Sequence, residues 1–166
     1  MIYNYNDLQL YFLNFKFHNI YITTILLMVK FITLTNQGYL EYTFNCLKSL
    51  ENIDFSTTLK IYVIGEKGYN TLKSKGYSCY FLETETIDCE KSSQFRMNNW
   101  HNITKRKFEI IYNKILEHKY VCFTDGDIVF QNTEFMKYCL SNISINDMLI
   151  QNDTMFNNDT SVLCSG

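Results

Sequence analysis

The chain has 166 residues, 46% hydrophobic and 19% charged, with a formal charge of −2. That balance describes one globular domain large enough for a sizeable core, and it excludes a disordered polyelectrolyte and an electrostatic nucleic-acid binder. Pro and Ala are both absent, a compositional bias with no functional content.

Residues 20 to 34 (IYITTILLMVKFITL) are apolar, but Lys30 interrupts the run. The uninterrupted part is shorter than the roughly 17 to 25 residues of a membrane span, so the segment is read as a buried strand and no membrane span is expected. Residues 1 to 27 show no clean period and are read as an N-terminal extension, with Met28 opening the domain that runs to Gly166.

From there strands and helices alternate, the pattern of an α/β fold with an open, mostly parallel or mixed sheet flanked by helices. Residues 29 to 35 make the first strand. Gly38 opens a helix that reaches Asn52 and carries Leu40, Phe44, Leu47 and Leu50 on one side. A strand over 59 to 64, a short helix ending at Gly76 and a strand over 77 to 82 follow. Residues 83 to 102 are polar and aperiodic, ending at Trp100, the only Trp of the chain. A helix over 104 to 118 is predicted to bury Phe108, Ile111, Tyr112 and Ile115. The strand over 120 to 124 is predicted to be central, followed by a helix from Glu134 to Leu140 and a last strand over 148 to 151.

The six cysteines, Cys46, Cys79, Cys89, Cys122, Cys139 and Cys164, form no CxxC pair and have no His at zinc-ligand spacing. Cys46, Cys122 and Cys139 fall inside apolar patterns, which suits reduced thiols of a cytoplasmic protein. The four sequons, at Asn102, Asn142, Asn152 and Asn158, are what so Asn-rich a chain produces by chance.

The chemistry concentrates in residues 120 to 130, YVCFTDGDIVF. Successive strand side chains alternate faces, so Asp125 and Asp127 are expected to point the same way, and at about 5 Å in an effective dielectric near 20 they would repel by about 3 kcal/mol. A divalent cation removes that cost, and Mg²⁺ or Mn²⁺ favours carboxylate oxygens while leaving positions for substrate phosphates. The carboxyl end of a strand is also where open α/β sheets bind ligands. A structural Asp-Gly-Asp turn is the competing reading.

The segment KRKFEIIYNKILEHKYVCFTDGDIVF, with a βαβ opening of the FITLTN type and a closing QND and LCSG, resembles nucleotide-diphospho-sugar transferases of the GT-A (Rossmann-like) fold. The resemblance runs from about Met28 to Gly166. It implies a metal-dependent glycosyltransferase that moves a sugar from a UDP- or GDP-sugar donor to a glycan, protein or lipid acceptor. It further implies that Asp125 and Asp127 hold Mn²⁺ or Mg²⁺ on the donor diphosphate and that Gly126 admits a close approach of sugar or ribose. By the same resemblance Thr35 and Asn36 contact base or ribose, Lys107 faces the donor ahead of Lys105 and Arg106, and Asn152 and Asp153 contact sugar or acceptor. Strand-end turns, helix caps and solvated helix faces are the competing readings for these positions. The late His ligand and the general base of that family have no counterpart before Gly166, since His101 and His118 read as ordinary loop and helix-end residues. The sequence is therefore expected to hold the N-terminal portion of such a domain, with a non-catalytic nucleotide-binding remnant as the alternative. DGDIV also fits the D-x-D-x-[TV] start of haloacid-dehalogenase-type phosphatases, with Asp125 as nucleophile, although that motif normally closes the first strand of its core.

Overall fold

The structure, a computed structural model, describes residues 29–53, 59–83, 100–143, 145, 148 and 149. Four strands, β1 (Val29–Asn36), β2 (Leu59–Ile64), β3 (Cys79–Leu82) and β4 (Tyr120–Phe123), form one sheet in the order β3-β2-β1-β4. Every pairing is parallel, with Phe31 beside Leu59, Ile61 beside Cys79 and Val29 beside Tyr120. Helices α1 (Leu40–Glu51), α2 (Glu66–Ser74), α3 (Trp100–Glu117) and α4 (Glu134–Asn142) alternate with the strands, and a 3₁₀ turn over Gln37–Tyr39 leads into α1. Among the described residues no helix is long and apolar enough to cross a membrane.

Strand alternation sorts the core into two layers. Phe31, Leu59, Ile61 and Val63 meet Leu47 and Leu50 of α1 and Leu72 of α2 on one face. Ile32 and Tyr62 meet Ile110 of α3 on the other, with Leu34, Val121 and Phe123 packed beside them. Burial on both faces explains why LKIYVI and FITL read as nearly continuous apolar runs.

The α2 helix stops where its sequence says it must. Gly76 has φ +86°, its N–H donates to Lys73 O at 2.9 Å, and Tyr77 N donates to Leu72 O at 3.1 Å. This pair of bonds satisfies the last helical carbonyls and requires the left-handed conformation that glycine adopts without strain.

Three expectations are corrected. Among the described residues β4 has β1 on one side and no strand on the other, so β1 and β2 are the inner strands of the four described. The run YVCF has the apolar content of a central strand, yet each of its four residues is only half-buried. The helix before it begins at Trp100 rather than Thr104, and it is rotated. Phe108, Tyr112 and Ile115 are more than half exposed, while Ile110 is buried. The face turned to the sheet carries Lys107 and Lys114, whose aliphatic stems cover apolar surface while their ammonium groups reach Asp125 and Glu117. A period count picks the most apolar stripe, whereas here Asp125, outside the helix, pairs with Lys107 and favours the lysine stripe. Finally, Met148 and Leu149 carry no strand. The remainder of that predicted strand, the 1 to 27 extension and most of the 83 to 102 loop lie outside the described residues.

Candidate functional site

The candidate site forms because β1 is longer than β4. Pairing covers Val29 to Ile32 of β1, Thr124 N adds one more bond to Ile32 O at 3.0 Å, and the chain then leaves the sheet. Residues 125 to 127 turn across the remaining half of β1. Strand alternation ends at Phe123, so the premise that both acids share a strand face is corrected: Asp125 precedes a turn made by Gly126 and Asp127, with Ile128 N reaching Asp125 O at 3.5 Å.

Each end of the turn is fixed. Phe130 N donates to Ser49 Oγ at 2.9 Å, and that hydroxyl donates to Cys46 O at 2.7 Å, so the segment after the acids is tied to α1. Gly126 sits against the protein itself. A Cβ there would lie 3.0 Å from Thr43 Oγ1 and 3.7 Å from Leu34 O, which makes the close approach at this glycine one of backbone to α1 and β1.

The two carboxylates have different neighbours. Asp125 Oδ1 is 3.2 Å from Lys107 Nζ, and the same ammonium stands 4.5 Å over the Phe123 ring. Lys107 is 12% exposed at its side chain and Asp125 39%, so this pair is only partly screened by solvent. Asp127 is exposed and lies on the α1 side, close enough to Tyr39 and Cys46 to act on both. Burial first, and the Asp127 charge second, push the Tyr39 phenol up and the Cys46 thiol to about 11.

These groups border a cleft of about 180 Å³ at the carboxyl ends of the strands. Leu34, Thr35, Asn36 and Ile64 come from β1 and β2, and Asp125, Gly126 and Asp127 from the turn. The α3 helix supplies Trp100, Ile103, Thr104 and Lys107, residues at i, i+3, i+4 and i+7 that share one helical face.

Of the residues expected from sequence, Thr35, Asn36, Lys107, Asp125, Gly126 and Asp127 all border this cleft. Thr35 and Asn36 also serve the fold. The Thr35 hydroxyl is 2.7 Å from that of Thr43, and Asn36 Oδ1 caps the 3₁₀ turn by accepting from Tyr39 N at 3.1 Å. That bond fixes the amide orientation, and among the described residues the buried Nδ2 of Asn36 has no partner. Lys105 and Arg106 face away and pair with Glu109, leaving Lys107 as the cleft cation. His101 is exposed beside the Trp100 ring, and His118 closes the far end of α3 next to Glu117. Asn152 and Asp153 lie outside the described residues.

Sequence reasoning missed Tyr39, Trp100 and Thr43. Trp100 stands seven positions before Lys107, two helical turns along the same face, a relation visible in the sequence once the helix start is moved to residue 100.

As a metal site the donor set is small. Among the described residues no three His, Cys, Asp or Glu side chains are grouped to enclose an ion. Two carboxylates on an open cleft fit a Mg²⁺ or Mn²⁺ ion that keeps waters and takes further oxygens from a phosphate. Lys107, already on Asp125, leaves the exposed Asp127 as the more open carboxylate. No protein-family model, curated protein or solved structure matches the chain.

Proposed function

We propose that the cleft binds a nucleoside-diphosphate sugar together with Mg²⁺ or Mn²⁺, and that the chain supplies the donor side of a glycosyltransferase. The observation carrying this reading is the meeting of Lys107, Asp125 and Asp127 at the carboxyl ends of parallel strands, beside Asn36, whose Nδ2 has no partner among the described residues. The DGD turn and the helix before it are also the parts that resemble GT-A transferases.

When bound to Asp125 and Asp127, the metal would neutralise charge that develops on the departing diphosphate. Lys107 adds a fixed positive charge from the other wall, held by Asp125 at 3.2 Å, and it presents ammonium donors to phosphate oxygens. Asn36 Nδ2 offers a donor to a carbonyl or hydroxyl of the nucleoside. Leu34, Ile64, Ile103 and Phe123 line the cleft with apolar surface, which limits water beside the charged groups and strengthens their field. At about 180 Å³ the cleft is smaller than the roughly 300 to 1,000 Å³ of a site that encloses a whole small molecule. It encloses part of the donor, with the rest at its mouth.

The test is calorimetry of the full chain with UDP and with GDP, each with and without MnCl₂, followed by an assay for release of sugar from the matching donor. Metal-dependent binding with hydrolysis or transfer supports the enzyme. Binding without turnover assigns a nucleotide-binding remnant. Absence of binding to either nucleotide removes the proposal, and turnover of an aryl phosphate with trapping of a phosphoryl group on Asp125 replaces it with the phosphatase reading.

A further inference from the structure

We infer that Trp100 is the ring platform of the cleft, its indole taking the flat face of the ligand's base while Lys107, Asp125 and Asp127 hold the diphosphate end. The inference rests on the donor reading above and gives the bound nucleotide a direction.

The geometry of α3 carries it. Trp100 and Lys107 lie on one face of a single helix, seven residues and about 10 Å apart along its axis, and both border the cleft. That spacing separates an ammonium on an aspartate from a large aromatic surface, with Ile103 and Thr104 between them. A ligand that satisfies both ends is anionic at one and planar and weakly polar at the other. A nucleoside diphosphate has this shape, with the ribose spanning the gap. A bare sugar phosphate lacks the flat ring, and inorganic diphosphate lacks everything beyond the charged end.

Two further observations agree. Away from the carboxylates the cleft wall is apolar, through Leu34, Ile64 and Ile103, the setting in which base-on-indole stacking gains from excluded water. Asn36 borders the same cleft, and its buried Nδ2 has no partner among the described residues. A stacked base bearing a ring carbonyl supplies the missing acceptor, so uracil and guanine fit better than adenine. Trp100 is half-buried, with His101 resting edge-on against the indole at 5.1 Å between ring centroids, so the platform is supported from its own helix.

Since Trp100 is the only Trp of the chain, its fluorescence reports on this position without background. The full chain is titrated, with MnCl₂ present, with uridine, UDP, GDP, ADP and inorganic pyrophosphate, each followed by fluorescence and by calorimetry. Uridine and UDP are expected to change the emission, pyrophosphate to bind with little change, and ADP to bind at least severalfold more weakly than UDP or GDP. Trp100→Ala is expected to weaken UDP binding by about tenfold or more with pyrophosphate binding unchanged, and Trp100→Phe to stay within about threefold of wild type. Calorimetric binding of UDP that leaves the emission unchanged, or equal UDP affinity in wild type and Trp100→Ala, overturns the platform and leaves the donor reading standing. Failure of the wild-type chain to bind any nucleotide by calorimetry overturns both. If Trp100→Ala does not fold, the wild-type titration and the Phe variant decide the matter.

Discussion

Lys107 Nζ lies 3.2 Å from Asp125 Oδ1 and 4.5 Å from the centre of the Phe123 ring, so one ammonium joins α3, β4 and the acidic turn. The need for a positive partner at the acid pair is thus met in part by the protein. This makes the two aspartates unequal: Asp125 is a member of an ion pair, and Asp127 is the more accessible carboxylate.

Replacing Lys107 by Met keeps an unbranched stem over Phe123 and removes the charge. Nucleotide affinity should fall by about tenfold or more, the worth of a charge-assisted hydrogen bond to phosphate, while stability changes by less than about 1 kcal/mol. Calorimetry with UDP and a urea titration separate the two effects. Unchanged affinity would exclude Lys107 from the site.

Asp125→Ala and Asp127→Ala should differ in stability and agree in binding. Loss of Asp125 takes the ion pair from a lysine with a side chain only 12% exposed and should destabilise by about 1 kcal/mol. Loss of the exposed Asp127 should fall within about 0.5 kcal/mol of wild type. Each should remove the manganese dependence of UDP binding. Matching urea midpoints for the two variants would contradict the asymmetry.

Gly126→Ala places a methyl group 3.0 Å from Thr43 Oγ1, with Leu34 O close behind. The expected cost is about 1 to 3 kcal/mol, typical of forcing an extra carbon into a packed site. Thr43→Ala costs about 1 kcal/mol through its bond to Thr35, yet combined with Gly126→Ala it should return part of the loss. A double-mutant cycle reads this as a non-additive pair. Strict additivity would show that the clash is relieved elsewhere.

The Cys46 thiol is pushed from its ordinary value of 9.0 to about 11, by burial and then by Asp127, and Cys122 is pushed to about 12 by burial and then by Cys139. Both thiols titrate later in the folded chain than in the unfolded one. Their contribution to stability is therefore complete below pH 9 and lost as pH rises through about 11 to 12. Urea midpoints should be flat on this account from pH 7 to 9 and decline above it, and the fully buried Cys46 thiol should not react with iodoacetamide at pH 8 until the chain is unfolded. Labelling of Cys46 in native protein at pH 8 would refute its burial.

The alternation of strands and helices was legible because two-sided burial writes itself into LKIYVI and FITL, and the Gly76 stop because its backbone conformation favours one residue type. Lys107 could be preferred over Lys105 and Arg106 in sequence. The orientation of α3 could not be read, since its exposed Phe108, Tyr112 and Ile115 make the more apolar stripe and Asp125, the carboxylate paired with Lys107, lies outside the helix. The turn at Gly126 stood in the sequence as the competing reading, but its packing partner could not be read. Glycine between two acids reads as room for a ligand, whereas the space is filled by Thr43, a residue on another element.

The bond from Phe130 N to Ser49 Oγ spans 81 positions of the chain. The acidic turn therefore acquires its shape only after a long loop has closed and β4 has docked beside β1, which ties the birth of the site to the slowest class of contact in folding. Helix α1 and the β1–β2 pair join nearer neighbours and form a scaffold that does not need the turn. A chain caught part-way would thus hold much of its core with no cleft, and the appearance of nucleotide binding during refolding would time the docking of β4.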